Sequence, residues 1–369
     1  MKITNIEAFP VPPRWVFCKV ETDEGITGWG EASLEGHAAT QVAAVHQQRS
    51  VLVGEDPTRI EYLWQGVYRG GFYRGGPVLM SALSGIDQAL WDILGKSLDR
   101  PVYKLLGGAC RHKVRVYGGC GGSDPSELHE SARKCVEAGF TAMKFCPCDQ
   151  MEIVDGLDVI RRVELRVAAA REGAGDADLA LDFHGRVSPA MSIALADALK
   201  PYRPYFIEEP VQFENVDALV RVARSTPIPI ATGERLYGRH GFREVIEKDA
   251  AAILQPDLSH AGGITEVRKI AAIAETHYMA IAPHCPLGPI ALAACIQFAM
   301  CTPNFLIQEH GHLGHGYLKN PFSDVGGYLS IPEGPGLGIE VDEKAVRAMK
   351  WQEWETPRLF HEDGGVADW

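Results

Sequence analysis

Apolar positions in the first thirty residues fall in the two-residue steps of half-buried strands. Ile3–Val11 alternates loosely, and Trp15–Thr22 (WVFCKVET) is rich in β-branched and aromatic side chains. Asp23-Glu24-Gly25 then supplies a turn before Ile26–Trp29. The period next changes to three and four. Helices are predicted from Ala38 to about Val53, from Thr58 to Tyr68, over Val78–Leu94, and briefly over Val102–Leu106. A Gly-rich insert, Tyr68–Pro77, carries YRGG twice. A small antiparallel sheet followed by helices predicts an α+β capping module over residues 1–113.

From Val114 short apolar runs alternate with helical stretches. The runs are Val114–Tyr117, Ala142–Phe145, Leu179–Phe183, Tyr205–Glu208, Ile228–Thr232, Ala252–Gln255, Met279–Pro283 and Phe305–Gln308. Strands apolar on both faces and separated by helices belong to a parallel sheet. Eight such units in about 200 residues predict a (β/α)8 barrel over residues 114–325, of the TIM type. An open doubly wound sheet would carry G-x-G-x-x-G after its first strand, and Gly118-Gly119-Cys120-Gly121-Gly122 lacks that register. Residues 326–369 return to turns and strands, and are expected to pack back on the first module.

What ends each strand carries the chemistry. Asp182, Glu208, Glu234, Asp257, His284 and Glu309 stand 26, 26, 23, 27 and 25 residues apart, about one βα unit each. Six units thus deliver one ionisable side chain apiece to the C-terminal face, where such barrels hold their active sites. A single acid there reads equally well as a helix cap; capping imposes no common period. Asp182, Glu208 and Glu234 converging on one spot cannot all ionise without a cation, and hard oxygen ligands suit Mg²⁺. Glu209 is expected to point away from Glu208, because strand side chains alternate. His184, two residues after Asp182, is expected on the same strand face. Asp257 is placed to orient His284 and raise its basicity. Lys144, ending the second strand, reads either as a contact for a substrate carboxylate or as a solvated surface lysine.

Composition narrows the partners. The chain has 369 residues, 46% of them hydrophobic, with 36 Lys plus Arg against 48 Asp plus Glu and a formal charge of −12. No basic stripe offsets that charge, which argues against a nucleic-acid partner. The longest apolar run, Ile290–Met300, is broken by Gln297 and too short for a membrane span. The N-terminus has neither the basic head nor the apolar run of a signal peptide. Nine unpatterned cysteines suggest reduced thiols and a cytoplasmic location. Cys146-Pro147-Cys148 has no second close pair with which to form a zinc site.

LDFHGR (181–186), FIEEP (206–210), GER (233–235), QPDLSHAGG (255–263) and APHCPLGPIALAAC (282–295) resemble the mandelate racemase branch of the enolase superfamily. The likeness runs from MKITNIEAFPVPPRW through SALSGIDQALWDILGK to HEDGGVADW. Within that branch, DFHG is similar to the element found in sugar-acid dehydratases. The resemblance implies Mg²⁺ on Asp182, Glu208 and Glu234, and His284 with Asp257 as the base that takes the proton beside the carboxylate. It further implies His184 as acid to the departing 3-hydroxyl, and Glu309 as hydrogen-bond partner of the charge growing on the carboxylate. The reaction so implied dehydrates an aldonate, D-galactonate foremost, to a 2-keto-3-deoxy acid through an ene-diolate. It also implies loops at Pro12–Trp15 and Glu35–Thr40, with Trp15 as a substrate contact, closing over the barrel together with YRGGFYRGGP. A homo-oligomer is expected.

Racemases of the branch keep a second lysine where this chain has Cys146, a thiol whose reference pKa is about 8.5. That disfavours two-base racemisation, leaving an epimerase or racemase, or a dehydratase for another aldonate or aldarate, as the alternatives. A metal-dependent hydrolase would show an H-x-H pair in the first barrel strand, and Val114–Gly119 has none. The fourth reading is a barrel that only binds ligands.

Overall fold

Strands β1 (Ile3–Val11), β2 (Trp15–Thr22) and β3 (Thr27–Glu31) form the expected antiparallel sheet in that order. The computed structural model describes residues 1–369. Helices α1 (Ala38–Gln47), α2 (Arg49–Leu52), α3 (Ile60–Gly70) and α4 (Pro77–Ser97) follow. α4 presents Ile86, Ala89, Leu90 and Ile93 to Ile6, Val16, Cys18 and Val20 of the sheet. Each large side chain buried there stabilises the module by roughly 1.5–3 kcal/mol. The helix lies unusually close because β3 carries Gly28 and Gly30. A Cβ at either position would strike the backbone carbonyl of Ala89 or Gly85.

After α5 (Val102–Leu105) and the short strand β4 (Val114–Arg115) comes the barrel: β5 (Gly118–Gly119), α6 (Pro125–Glu137), β6 (Ala142–Phe145), α7 (Leu157–Ala174), β7 (Asp178–Asp182) and α8 (Pro189–Leu199). It continues with β8 (Phe206–Glu208), α9 (Val216–Ser225), β9 (Ile230–Thr232), α10 (Gly238–Glu247), β10 (Ile253–Leu254), α11 (Gly263–Glu275), β11 (Ala280–Ile281) and α12 (Pro289–Cys301). Strands β5 to β11 pair in sequence order, each parallel to its neighbour. Residues 305–308 are not a regular strand. Parallel bridges from Phe305 to Ile281 and from Gln308 to Val116 nevertheless close the cylinder.

Two differences from the sequence expectation have a physical cause. Val114–Tyr117 is not one barrel strand: Val114–Arg115 pairs antiparallel with β13 (Tyr328–Leu329), itself paired with β12 (Asp324–Val325), and barrel pairing begins at Val116. The run overhangs the cylinder, so its first backbone groups need another partner. The later segment is consequently shared. Residues 324–329 serve the barrel, whereas α13 (Glu343–Ala348) reaches the first sheet through Lys19–Glu343 at 3.1 Å and Arg347–Glu7 at 2.7 Å. The chain closes with a hairpin of β14 (Leu359–Phe360) and β15 (Val366–Ala367).

One face of α4 also holds the barrel loop that carries Asp257. Ser84 Oγ accepts from Gly262 N at 2.9 Å, Asp87 accepts from Thr265 N at 3.1 Å, and Gln88 donates to Leu258 O at 3.0 Å. Their spacing of three and four puts all three on one side of the helix. From β3, buried Glu31 accepts from Gly288 N at 2.8 Å and Ala291 N at 3.0 Å, capping α12.

Candidate active site

Asp182 and Glu208 end neighbouring strands β7 and β8 and sit opposite each other in the ladder. Glu234 follows β9 by two residues, after Gly233 at φ 140° turns the chain back. One oxygen from each of the three carboxylates lies within 4.8 Å of the others. Asp182 and Glu208 are buried. Burial and the neighbouring Asp182 push Glu208 well above the usual carboxylate range, and burial lifts Glu234 to about 7. Glu208 Oε2 is buried without a hydrogen-bond donor. Three crowded oxygen donors, one left unpaired, fit a hard divalent cation such as Mg²⁺.

Lys144 is no surface lysine. Its Nζ lies 2.6 Å from Glu208, 3.0 Å from Glu309 and 3.3 Å from Asp182, with a side chain only 10% exposed. Burial opposes its charge, but the carboxylates of Glu208 and Glu309 overcome that and raise it well above the ordinary lysine value. It therefore faces the pocket as an ammonium.

His284 Nδ1 lies 2.8 Å from Asp257 Oδ2, and its Nε2 lies 3.7 Å from Glu234 and 3.9 Å from Glu309. Burial favours neutral imidazole; the carboxylates of Glu234, Glu309 and Asp257 outweigh it and raise His284 well above its ordinary value. His184 stands across the cluster, Nε2 3.4 Å from Asp182 Oδ2, and here burial wins and lowers its pKa. The two imidazoles thus differ in proton affinity. Both oxygens of Glu309 accept, one from Cys285 N at 2.9 Å and one from Lys144. Burial disfavours its charge, yet Lys144 and His284 hold its pKa below the ordinary value, so donating to a substrate requires it to take up a proton.

Glu209 points away from Glu208 but not by strand alternation. It has φ 43°, and its carboxylate binds Thr232, Gly233 N and Arg235. His184 also lies beyond its strand, at φ 51°, with its N–H donating to Asp182 Oδ1 at 3.0 Å. A left-handed turn, rather than a shared strand face, therefore returns the imidazole to the cluster.

Asp182, His184, Glu234, His284, Glu309 and Lys144 all line one cavity of about 660 Å³. Trp15 does not. It is 3% exposed and packs on Phe17, His312 and Tyr317. As the first residue of β2 its ring faces inward, while Arg14, in the turn before it, reaches the cavity. Glu35 and His37 of the second loop, with Leu34 just before it, also line the cavity, as does Pro77 at the end of the Gly-rich insert, whereas Phe72 and Tyr73 of that insert stay exposed elsewhere. Arg235, His260, Asp368 and Trp369 line it too; they lie within GER, QPDLSHAGG and HEDGGVADW but carried no assigned role. His260 was findable three residues after Asp257, where its Nδ1 meets Ser81 Oγ at 2.9 Å.

Residues 127–345 match the enolase C-terminal domain-like family, and residues 12–107 match the mandelate racemase/muconate lactonizing enzyme N-terminal domain. The chain is 49% identical to D-galactonate dehydratase of Ralstonia nicotianae and 48% identical to that of Cronobacter sakazakii, over the whole of each chain. A crystal structure of an enolase from Agrobacterium radiobacter, with bound Na and L-malate, superposes with a TM-score of 0.94 at 32% identity over all of both chains. With the capping sheet, the closed parallel barrel and the carboxylate trio at its mouth, these matches show that the chain belongs to the mandelate racemase/muconate lactonizing enzyme family of the enolase superfamily.

Proposed function

We propose that this protein is a Mg²⁺-dependent dehydratase of sugar acids, acting on D-galactonate and releasing a 2-keto-3-deoxy acid. The observation that carries it is the placement of two imidazoles against the Asp182–Glu208–Glu234 trio, His184 Nε2 3.4 Å from Asp182 and His284 Nε2 3.7 Å from Glu234. The relatives' names support the substrate class. Bound at the trio, Mg²⁺ would supply Lewis-acid stabilisation of the charge that develops on the substrate carboxylate.

Removing a proton beside a carboxylate puts a second negative charge on an anion, so the site must favour charge where it grows. The Lys144 ammonium holds the carboxylate end by ion pairing. The neutral form of His284, oriented through Nδ1 by Asp257, takes the α-proton on Nε2 and becomes imidazolium. His184, once charged by a proton from solvent, gives it to the 3-hydroxyl as the C3–O bond breaks; water leaves, and the resulting enol tautomerises to the 2-keto acid. Glu309 would donate to the carboxylate oxygen after taking up a proton from solvent. Cys146 cannot serve as a second base: burial pushes its thiol to about 11, and its Sγ donates to Cys148 O at 3.2 Å. That weighs against a racemase.

The test is a panel of aldonic and aldaric acids, assayed for 2-keto acid with Mg²⁺ and with EDTA. Release from D-galactonate, abolished by EDTA, is expected. Return of deuterated substrate from D₂O with no keto acid would instead identify an epimerase.

A further inference from the structure

The hairpin of β14 and β15 reaches the mouth of the cavity from the far end of the sequence. His361, between its strands, is tied by Nδ1 to Glu152 Oε1 at 3.0 Å, in the stretch that follows β6. Asp368 and Trp369, just after β15, line the cavity. Trp369 packs on Trp354, ring centroids 6.3 Å apart, and Trp354 carries the Arg14 guanidinium at 5.1 Å. The two residues are therefore held as a wall by the capping turn on one side and the barrel loop on the other. A second cavity of about 550 Å³ lies alongside and shares Gln212 and Asp368, but none of the carboxylate trio, Lys144 or His284. Asp368 thus stands where the main cavity meets its neighbour.

We infer that Asp368 and Trp369 bind the hydroxylated end of the substrate remote from its carboxylate, and select chain length and charge there. This rests on the sugar-acid reading above. An ionised carboxylate only accepts hydrogen bonds, so Asp368 favours hydroxyl donors and repels a second carboxylate. The two arginines lining the main cavity do not reverse that preference, and Arg186 and Arg221 line only the neighbouring one. Arg14 is paired with Glu35 at 2.7 Å, and Arg235 is paired with Glu209. The indole of Trp369 offers a broad apolar face to the C–H side of a polyol. A monocarboxylic aldonate of six carbons is thereby preferred over a dicarboxylic aldarate and over shorter acids.

The experiment compares the wild type, Asp368→Asn and Trp369→Ala on a six-carbon aldonate, a four-carbon aldonate and a six-carbon aldarate. It reads KM and kcat, with calorimetric Mg²⁺ binding as the control for an intact trio. Asp368→Asn is expected to shift kcat/KM toward the aldarate by on the order of tenfold, the worth of one charged hydrogen bond. Trp369→Ala is expected to raise KM for the six-carbon aldonate more than for the four-carbon one. Equal changes on all three acids, or none, overturn the inference. A wild type without turnover would sink the dehydratase reading alone, because calorimetric binding of the same acids to the three proteins still gives or denies this pattern.

Discussion

His184 and Glu234 reach the cluster by local backbone geometry that residue spacing alone conceals. Asp182 is the last residue of its strand, so alternation stops there and the left-handed turn at 184 decides where the imidazole lies. Replacing His184 with Asn is expected to lower 2-keto acid release by about 10²–10⁴-fold, the usual worth of a general acid. Exchange of the α-proton with D₂O, followed by mass spectrometry, should persist because His284 is untouched; loss of both would falsify the assignment. Glu234→Gln should weaken Mg²⁺ binding and activity together, read by calorimetry and assay on one preparation. Trp15 shows the limit of reading one residue at a time. Its position in the loop was legible in the sequence, but the inward face of β2 was not, and its neighbour Arg14 lines the cavity instead.

At the scale of elements, the junction of β3 with α4 and α12 is where the capping module holds the barrel. Gly30→Ala should overpack that contact and destabilise the protein by about 1–3 kcal/mol, measured by urea unfolding. Glu31 makes the junction sensitive to pH. Burial raises its carboxyl to about 7 from an ordinary 4.5. Its folded-state pKa is raised, so the fold favours the protonated form. That contribution is complete below pH 4.5 and is lost as pH rises through about 7. Stability should therefore fall by roughly 3 kcal/mol at this site between pH 4.5 and 8. Glu31→Gln, which cannot ionise, should give a flatter stability curve over that range in parallel urea titrations; an unchanged slope would show that Glu31 titrates normally. The strands themselves were readable from apolar runs, but their ends were not. Runs such as Ala252–Gln255 pair over only two residues, because apolar loop residues at the barrel mouth pack as strand residues do.

For the whole molecule, the concentration of carboxylate at one end of the barrel links metal binding to stability. An ion that binds only the folded chain should raise the unfolding free energy by about 2.7 kcal/mol at a hundredfold excess over its Kd. Thermal melts with increasing Mg²⁺ should show a rising midpoint, and Asp182→Asn should remove most of the rise. No shift in the wild type would take the ion away from the trio. The sequence by itself determined the eightfold alternation of apolar runs and helices and the regular return of an ionisable residue after six successive runs. Both are periodic and local, so they survive without knowledge of contacts. The pairing of Glu209 with Arg235, the burial of Lys144 among three carboxylates, and the closing of the cavity by residues 368 and 369 were decided only by tertiary structure. Each joins chain segments tens to hundreds of residues apart. Whether a charge there is solvated, paired or aimed at a substrate depends on which surfaces the folded barrel and its cap bring together.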